Sequence, residues 1–156
     1  MIVPLRSFLV AGGLVALVQP LVAQKVTINH ASPALVTQVA LEYLAPDHFV
    51  LVRNDSNGAE FGLSLGKIQQ ANMSRSMRYP DNRFWTIMEV HLRYRPKGDA
   101  LEVSAYEDAL VLEDDSSFVD RRRVTSRKEL DNLRVFVEDL RKQVEARVAS
   151  TEARKP

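Results

Sequence analysis

The segment from Gly62 to Gly66 has the clearest potential for chemistry, because it reads Gly-Leu-Ser-Leu-Gly. This is the G-x-S-x-G pattern of a nucleophile elbow, in which a serine on a tight strand-to-helix turn attacks an acyl group. Asp81 and His91 follow Ser64 in the order of acid and base that α/β-hydrolases use. One hypothesis is therefore a small serine hydrolase that uses Ser64, Asp81 and His91.

The elements that would have to position these residues argue against a hydrolase. Such enzymes need a parallel sheet made of strand–helix units, whereas the hydrophobic pattern here predicts antiparallel hairpins. His91 falls in the middle of a predicted strand, where a side chain moves less freely than on a loop. We therefore interpret Ser64 as a residue of an edge strand, and we predict no catalytic residues.

The three histidines do not form a recognisable metal-binding pattern. His30, His48 and His91 lie far apart in the sequence, without the short spacings that place two ligands on one helix or hairpin. The chain also has no glycine-rich phosphate loop and no dinucleotide-binding fingerprint. We expect ordinary surface or half-buried histidines, no metal site and no cofactor.

A binding surface is predicted where large side chains fall on the mixed face of the strongest strand. Trp85, Ile87 and His91 alternate with apolar residues that must face a core. If the first helix covers this patch, it is core; if it is uncovered, it can bind a ligand. We expect the binding surface to lie between sheet and helices, near Tyr43, Trp85, Ile87 and Phe136.

Period-two alternation and turn residues predict two antiparallel hairpins and one further strand. The longer hairpin pairs Phe84–Tyr94 with Leu101–Leu112 across a turn that contains Pro96 and Gly98. The shorter one is predicted around the turn-forming run 54–58. A short strand is expected over 25–30, where Val26 and Ile28 alternate with polar residues.

Capping residues and helical spacing predict two definite helices. Ser32 and Pro33 are suited to the cap and first position of a helix that ends before Pro46. Ser126 and Glu129 form a capping box, and apolar residues then recur every three or four positions to about Val148. A third, irregular helix is only weakly indicated over 66–82, and the tail 151–156 is expected to fray or be disordered.

These elements predict an α+β fold, with an antiparallel sheet of about four to five strands covered by a short N-terminal helix and a long C-terminal helix. The long helix needs an apolar surface to pack on. We favour the sheet of the same chain, because Arg147 falls on the seam that a coiled coil would need. A homo-oligomer joined through residues 127–148 is the alternative.

The N-terminal segment has the layout of a secretory signal peptide. Arg6 precedes an apolar run from Phe8 to Val18, and the small residue Ala23 follows. The run is shorter than the ~20 residues that span a bilayer. We predict cleavage after Ala23, or less favourably after Gln24, with a retained anchor as the alternative. Residues 24–150 would then form one periplasmic or secreted domain that is not an integral membrane protein.

Composition restricts the partners and the chemistry. The chain has 21 Lys and Arg against 20 Asp and Glu, and loss of Arg6 with the signal makes the counts equal. Such a balance predicts no nucleic-acid partner, and we interpret Arg121–Arg123 as a solvated loop. There is no cysteine, which excludes disulfides and thiolate catalysis.

The leading functional hypothesis is therefore a non-catalytic exported domain that binds a protein partner or an apolar or envelope ligand. It rests on a sound predicted core that lacks an organised set of reactive groups. The serine hydrolase that uses Ser64 and the structural homo-oligomer through 127–148 remain as alternatives.

Overall fold

Alternating side chains build one six-stranded antiparallel sheet. The computed structural model describes residues 24–78, 84–113 and 118–154. The strands are β1 (Gln24–Asn29), β2 (Phe49–Asp55), β3 (Gly58–Leu63), β4 (Trp85–Lys97), β5 (Ala100–Leu112) and β6 (Phe118–Arg123). The helices are α1 (Pro33–Leu44), α2 (Leu65–Arg78) and α3 (Arg127–Glu152), with a single 3-10 turn at Ala45–Asp47. The predicted signal segment 1–23 and Asp81 lie outside the described residues.

The spatial order of the sheet is β1-β5-β4-β3-β2, and β6 also pairs with β5. The thirteen-residue strand β5 is long enough to hold two short strands in succession along one edge. Residues 100–105 pair with β1, and residues 108–112 pair with β6. The long β4–β5 hairpin is therefore the centre of the sheet, and β2 is the edge on the far side.

The two helices α1 and α3 cover one face of the sheet, as predicted. The apolar side chains of that face include Ile28, Phe61 and Val103, and they pack against buried residues of both helices such as Val39 and Leu140. Because neighbouring strand residues point to opposite faces, the other side of the same strands carries Glu60, His91, Tyr106 and their neighbours. This second face carries the candidate site.

The two predicted serine caps are confirmed, but the return bond of the predicted capping box is not: Glu129 Oε2 has no hydrogen-bond partner among the described residues. The Ser32 hydroxyl accepts a hydrogen bond from the Leu35 N–H at 3.2 Å, with Pro33 at the start of α1. The Ser126 hydroxyl accepts from the Glu129 N–H at 3.5 Å. Helix α3 continues to Glu152, about one turn beyond its predicted end near Val148. The weakly indicated helix is present as the regular helix α2.

One prediction is wrong: Arg121–Arg123 is not a solvated loop. These residues form the end of β6, which pairs with β5 from Asp108 to Leu112. The sequence did not indicate a strand here, because only two apolar residues, Phe118 and Val119, precede the charged run. Both are largely exposed in the structure. The sheet therefore has six strands, one more than the upper predicted number.

Candidate functional site

The candidate site lies on the sheet face opposite α1 and α3. Strand register brings side chains from four strands together there: His91 of β4 is directly opposite Glu60 of β3 and Tyr106 of β5. Two residues earlier in β4, Glu89 is opposite Asp108 of β5, which in turn is opposite Arg123 of β6. We call this group the His91 cluster; its members are Glu60, Glu89, His91, Tyr106, Asp108, Arg121 and Arg123.

The His91 imidazole is the centre of the cluster, and its side chain is only 3% exposed. Its Nδ1 atom lies 3.7 Å from Glu60 Oε1. Its Nε2 atom lies 3.5 Å from Glu89 Oε2 and 3.4 Å from Asp108 Oδ2. Neither ring nitrogen has a hydrogen-bond partner within the described ranges. A buried polar group in this state is rare and calls for an explanation.

Arginines from β6 neutralise two of the three carboxylates around the imidazole. The Arg123 Nε donates to Asp108 Oδ1 at 2.5 Å, and an Arg121 terminal nitrogen lies 3.1 Å from Glu89 Oε2. The Arg123 guanidinium also lies 3.6 Å from the centre of the Tyr106 ring. Because these carboxylates already have cationic partners, the surroundings of His91 do not require it to carry a charge.

Burial lowers the pKa of His91 below its ordinary value of 6.5. Desolvation of the charged imidazolium is the largest cause, and the carboxylates of Asp108, Glu60 and Glu89 oppose it. The imidazole is therefore neutral at pH 7. It stacks on Tyr106, with 4.7 Å between ring centres and 7° between ring planes, and this stacking fixes the orientation of the ring.

A cavity of about 240 Å³ opens beside the cluster, at the end of the sheet near the β2–β3 turn. Its charged and aromatic lining consists of Arg53, Asp55, Glu60, His91, Arg93 and Tyr106. The site therefore combines a polar pocket with a buried imidazole that has unused hydrogen-bonding capacity. Pockets that bind small molecules typically place a few polar groups in this way to orient the ligand.

The two cavity arginines differ in their partners. Arg53 lies 3.1 Å from Asp55 Oδ2 and 3.8 Å from Glu60 Oε1, so carboxylates of the chain compensate its charge. The Arg93 Nε donates to the Tyr106 hydroxyl at 3.3 Å. No carboxylate within the described parts of the chain lies at ion-pair distance from Arg93. Arg93 therefore differs from Arg53 in having no carboxylate of the described residues at ion-pair distance.

Ser64 does not meet His91 in this structure. The prediction that it belongs to an edge strand is wrong, because β3 ends at Leu63 and pairs with strands on both sides. Ser64 lies between β3 and α2, where its N–H donates to the His48 carbonyl and its own carbonyl accepts from the Ile68 N–H. Glu60 is the β3 residue opposite His91, and Ser64 lies four residues further on, which is ~13 Å along a strand. The predicted third member, Asp81, lies outside the described residues.

The four predicted binding residues lie on two different faces of the sheet. Tyr43 and Phe136 pack together between α1 and α3, with 5.2 Å between ring centres. Trp85 and Ile87 lie on the opposite face, in a small apolar group with Leu110 that Ile68 of α2 contacts. The structure brings together each pair but not all four residues. One alternative from the sequence was that the first helix covers this patch, but α1 packs in the core on the other face, and it is Ile68 of α2 that packs against the group containing Ile87.

Sequence reasoning placed His91 on the correct face but missed its surroundings. Glu89, His91 and Arg93 occupy every second position of β4 and therefore share its mixed face. This spacing could have indicated a cluster of charged side chains there. Tyr106 and Asp108 alternate in the same way on β5. The arginines of β6 were missed because that strand was interpreted as a loop.

No group of three or more histidine, aspartate or glutamate side chains in the described ranges has the arrangement needed to hold a metal ion. None of the helices in those ranges is both long and apolar enough to cross a membrane. Comparison with protein-family models, with curated proteins and with solved structures finds no match to this chain. The function must therefore be argued from the site alone.

Proposed function

We propose that this chain is an exported, non-catalytic binding domain and that it binds a polar ligand or partner in the cavity beside His91. The observation that carries the proposal is the buried imidazole that lines the cavity without a hydrogen-bond partner. A ligand group or its bound water would supply the missing bonds. Leaving such groups unpaired costs about 1–3 kcal/mol each.

Two features support binding rather than catalysis. The serine of the G-x-S-x-G pattern follows the end of β3, four residues beyond Glu60, which is opposite His91; this separation is ~13 Å at strand spacing. The Nε2 atom of His91, which a triad would direct at the serine, faces the carboxylates of Glu89 and Asp108 instead. Export rests on the N-terminal pattern of Arg6 and the apolar run 8–18.

The polar lining changes the ligand class that we expect. The sequence favoured an apolar or envelope ligand, or a protein partner, between sheet and helices. Tyr43 and Phe136 instead pack against each other there, whereas the cavity on the other face is lined by charged groups. A polar envelope component, or a polar segment of a protein partner, therefore suits the cavity better.

The test is an NMR titration of the purified secreted protein with fractionated envelope extract. We expect the ring signals of His91 and Tyr106 to shift with at least one fraction. An Arg93→Gln variant should lose the response, while Arg95→Gln should keep it, because Arg95 lies on the same face but does not line the cavity.

The opposite outcome has two forms. If NMR signals shift only for residues on the α1–α3 face, the ligand binds there and not in the cavity. Labelling of the folded protein by a fluorophosphonate probe, abolished by Ser64→Ala, would establish the serine hydrolase in place of the binding domain.

A further inference from the structure

Three groups in the cavity define the chemistry of a ligand, and the inference below rests on the proposed function of this same cavity. They are the Arg93 guanidinium, the Glu60 carboxylate and the Nδ1 atom of His91. All three belong to residues that line the cavity. His91 Nδ1 has no hydrogen-bond partner among the described residues, and the contacts of Glu60 Oε1 with His91 and Arg53 are long, at 3.7 and 3.8 Å. The three groups come from two adjacent strands whose register is fixed by the Glu60–His91 pair.

The position of the imidazole proton follows from its neighbours. Two carboxylates, Glu89 and Asp108, face Nε2, and only Glu60 faces Nδ1. A proton on Nε2 is therefore favoured electrostatically, and this tautomer leaves Nδ1 as a hydrogen-bond acceptor. Glu60 lines the cavity whereas Glu89 and Asp108 do not, so the Nδ1 edge of the ring is the one nearer the cavity.

Two acceptors then lie next to each other with no donor between them. Glu60 Oε1 is 3.7 Å from His91 Nδ1 and 3.8 Å from the Arg53 guanidinium, and both distances exceed that of a hydrogen bond. A ligand N–H group satisfies this pair, and an ammonium satisfies it best because Glu60 is negatively charged. Nδ1 is shielded from solvent, so the ammonium meets Glu60 first and reaches Nδ1 when that carboxylate rotates.

The Arg93 guanidinium supplies the complementary group. The Arg93 Nε donates a hydrogen bond to the Tyr106 hydroxyl, while its terminal nitrogens make no ion pair within the described part of the chain. Planar guanidinium groups bind carboxylates with two parallel hydrogen bonds. Tyr106 stacks on His91 and also has the Arg93 guanidinium 5.5 Å from its ring centre, so one ring contacts both groups at the cavity.

The volume favours a small ligand. One water occupies ~30 Å³ in the liquid, so the cavity of about 240 Å³, which is partly open to solvent, has the volume of about eight waters. We propose that the cavity binds a free amino acid or a similarly small zwitterion, with its carboxylate on Arg93 and its ammonium at Glu60 and His91.

Calorimetric titration of the full secreted protein with the standard L-amino acids tests this proposal. The best amino acid is then compared with its hydroxy-acid analogue, which lacks the ammonium, and with its amine analogue, which lacks the carboxylate. We expect each analogue to bind at least about tenfold more weakly, because a hydrogen bond to a charged group is lost.

Variants assign the two ends of the ligand. Arg93→Gln should weaken amino-acid binding by about tenfold or more, whereas the matched control Arg95→Gln should change it by less than about twofold. Glu60→Gln should weaken binding of the amino acid but leave binding of the hydroxy acid nearly unchanged. Binding of either analogue as tightly as the amino acid itself, or an Arg93→Gln variant with normal affinity, would overturn the assignment.

Other results separate the ligand class from the proposed function. If phosphate, or an envelope fraction without amino acids, shifts the His91 ring signals while no amino acid binds, the zwitterion proposal fails and the binding cavity stands. If neither amino acids nor envelope fractions shift those signals in a protein with a dispersed NMR spectrum, both proposals fail.

Discussion

At the scale of single residues, His91 shows how a buried group is kept neutral. Burial lowers its pKa, and Arg121 and Arg123 offset the charges of the two carboxylates at Nε2, so that these carboxylates do not require a second proton on the ring. The cluster is therefore stable with an uncharged ring. A proton added to the ring would create a buried cation, which is costly even beside carboxylates.

Acidification should destabilise the protein through His91. The unfolded chain takes up a proton as the pH falls below about 6.5, whereas the folded protein resists it because its pKa is lower. Stability that is present above the unfolded pKa is lost as the pH falls toward the folded pKa. Urea unfolding at pH 7, 6 and 5 measures this effect. The free energy of unfolding should fall less steeply with decreasing pH for His91→Gln than for wild type.

The control for this pH series is His48→Asn, because His48 is exposed and has a left-handed backbone that asparagine tolerates. It should keep the wild-type slope. Equal slopes for His91→Gln and wild type would mean that the ring is not held neutral by burial.

A second buried polar pair links α1 to the sheet. The hydroxyls of Thr37 and Tyr94 are 2.8 Å apart, and Thr37 also donates to Asn54 Oδ1 at 3.3 Å. Burial raises the pKa of Tyr94 to about 12. The folded state therefore holds the phenol proton more tightly than the unfolded chain, whose pKa is about 10, and stability is lost as the pH rises between these values.

We expect Tyr94→Phe to cost about 0.5–1.5 kcal/mol of unfolding free energy at pH 7, and Thr37→Val to cost about 1–3 kcal/mol because it leaves the phenol unpaired. The double variant should cost less than the sum, since both changes remove the same bond. Urea unfolding of the four proteins measures this coupling. Strict additivity would show that the two hydroxyls do not interact.

At the scale of elements, the close approach of β3 and β4 requires a glycine at one position. A Cβ on Gly58 would lie 2.3 Å from the Leu92 carbonyl oxygen, which is backbone and cannot rotate away. A Cβ on Gly66, in α2, would meet no atom within 4 Å. The same substitution should therefore have opposite effects at the two sites.

Gly58→Ala should destabilise the protein by about 1–3 kcal/mol, because the strands must separate locally. Gly66→Ala should stabilise it by up to ~1 kcal/mol, since alanine loses less backbone entropy than glycine in a helix. Midpoints of thermal and urea unfolding distinguish the two. A loss of stability in Gly66→Ala equal to that in Gly58→Ala would contradict the steric explanation.

Helix α3 uses its apolar side within the chain. Leu133, Val137, Leu140 and Val144 are buried against the sheet and α1. Arg147, the residue that interrupted the coiled-coil pattern, forms an ion pair with Glu42 of α1. These contacts explain why the long helix is stable without a second copy of itself, and they leave a dimer through 127–148 as a prediction for solution measurements.

Leu140→Ala should lower the unfolding free energy by about 2–5 kcal/mol, because it leaves a cavity in a closed core. The matched control Val135→Ala, on the outer side of α3 with 54% exposure, should change it by less than about 0.5 kcal/mol. Light scattering should give a monomer mass for all three proteins. Concentration-dependent unfolding, or a dimer mass that Val135→Ala abolishes, would favour the homo-oligomer instead.

At the scale of the whole molecule, the sheet has one closed and one open side. The closed side supplies the stability through the continuous apolar core between sheet, α1 and α3. The other side carries the His91 cluster, whose central groups are buried and lie beside a cavity. This division lets the charged groups be arranged without interrupting the core that positions them.

Export is the prediction that belongs to the whole chain. Expression in a bacterium, followed by fractionation and intact-mass measurement, should yield a protein that begins at Gln24 in the exported fraction. Ala23→Asp should retain the precursor, because a charged residue does not suit the cleavage site. Recovery of the unprocessed chain with Met1 from the cytosol would contradict both the signal peptide and the compartment.

Local sequence patterns determined most of the architecture. Alternation in β4 and β5 fixed which residues share a face, because a strand repeats every two residues. Ser32, Pro33 and Ser126 fixed two helix starts, because their side chains or ring suit the first unpaired N–H groups. These signals lie within a few residues of each other and need no knowledge of the fold.

Only the tertiary structure decided the site. The sequence placed His91 on a mixed face, but its contacts with Glu60, Asp108 and the β6 arginines depend on strand order and register across distant segments. The tertiary structure also places Ser64 away from His91 and Tyr43 away from Trp85. The sequence alone assigned the two residues of each pair to one common site. The position of each of these residues depends on which strands are neighbours in the sheet. Strand order and register are determined by many residues together, so no single residue or local pattern reveals them.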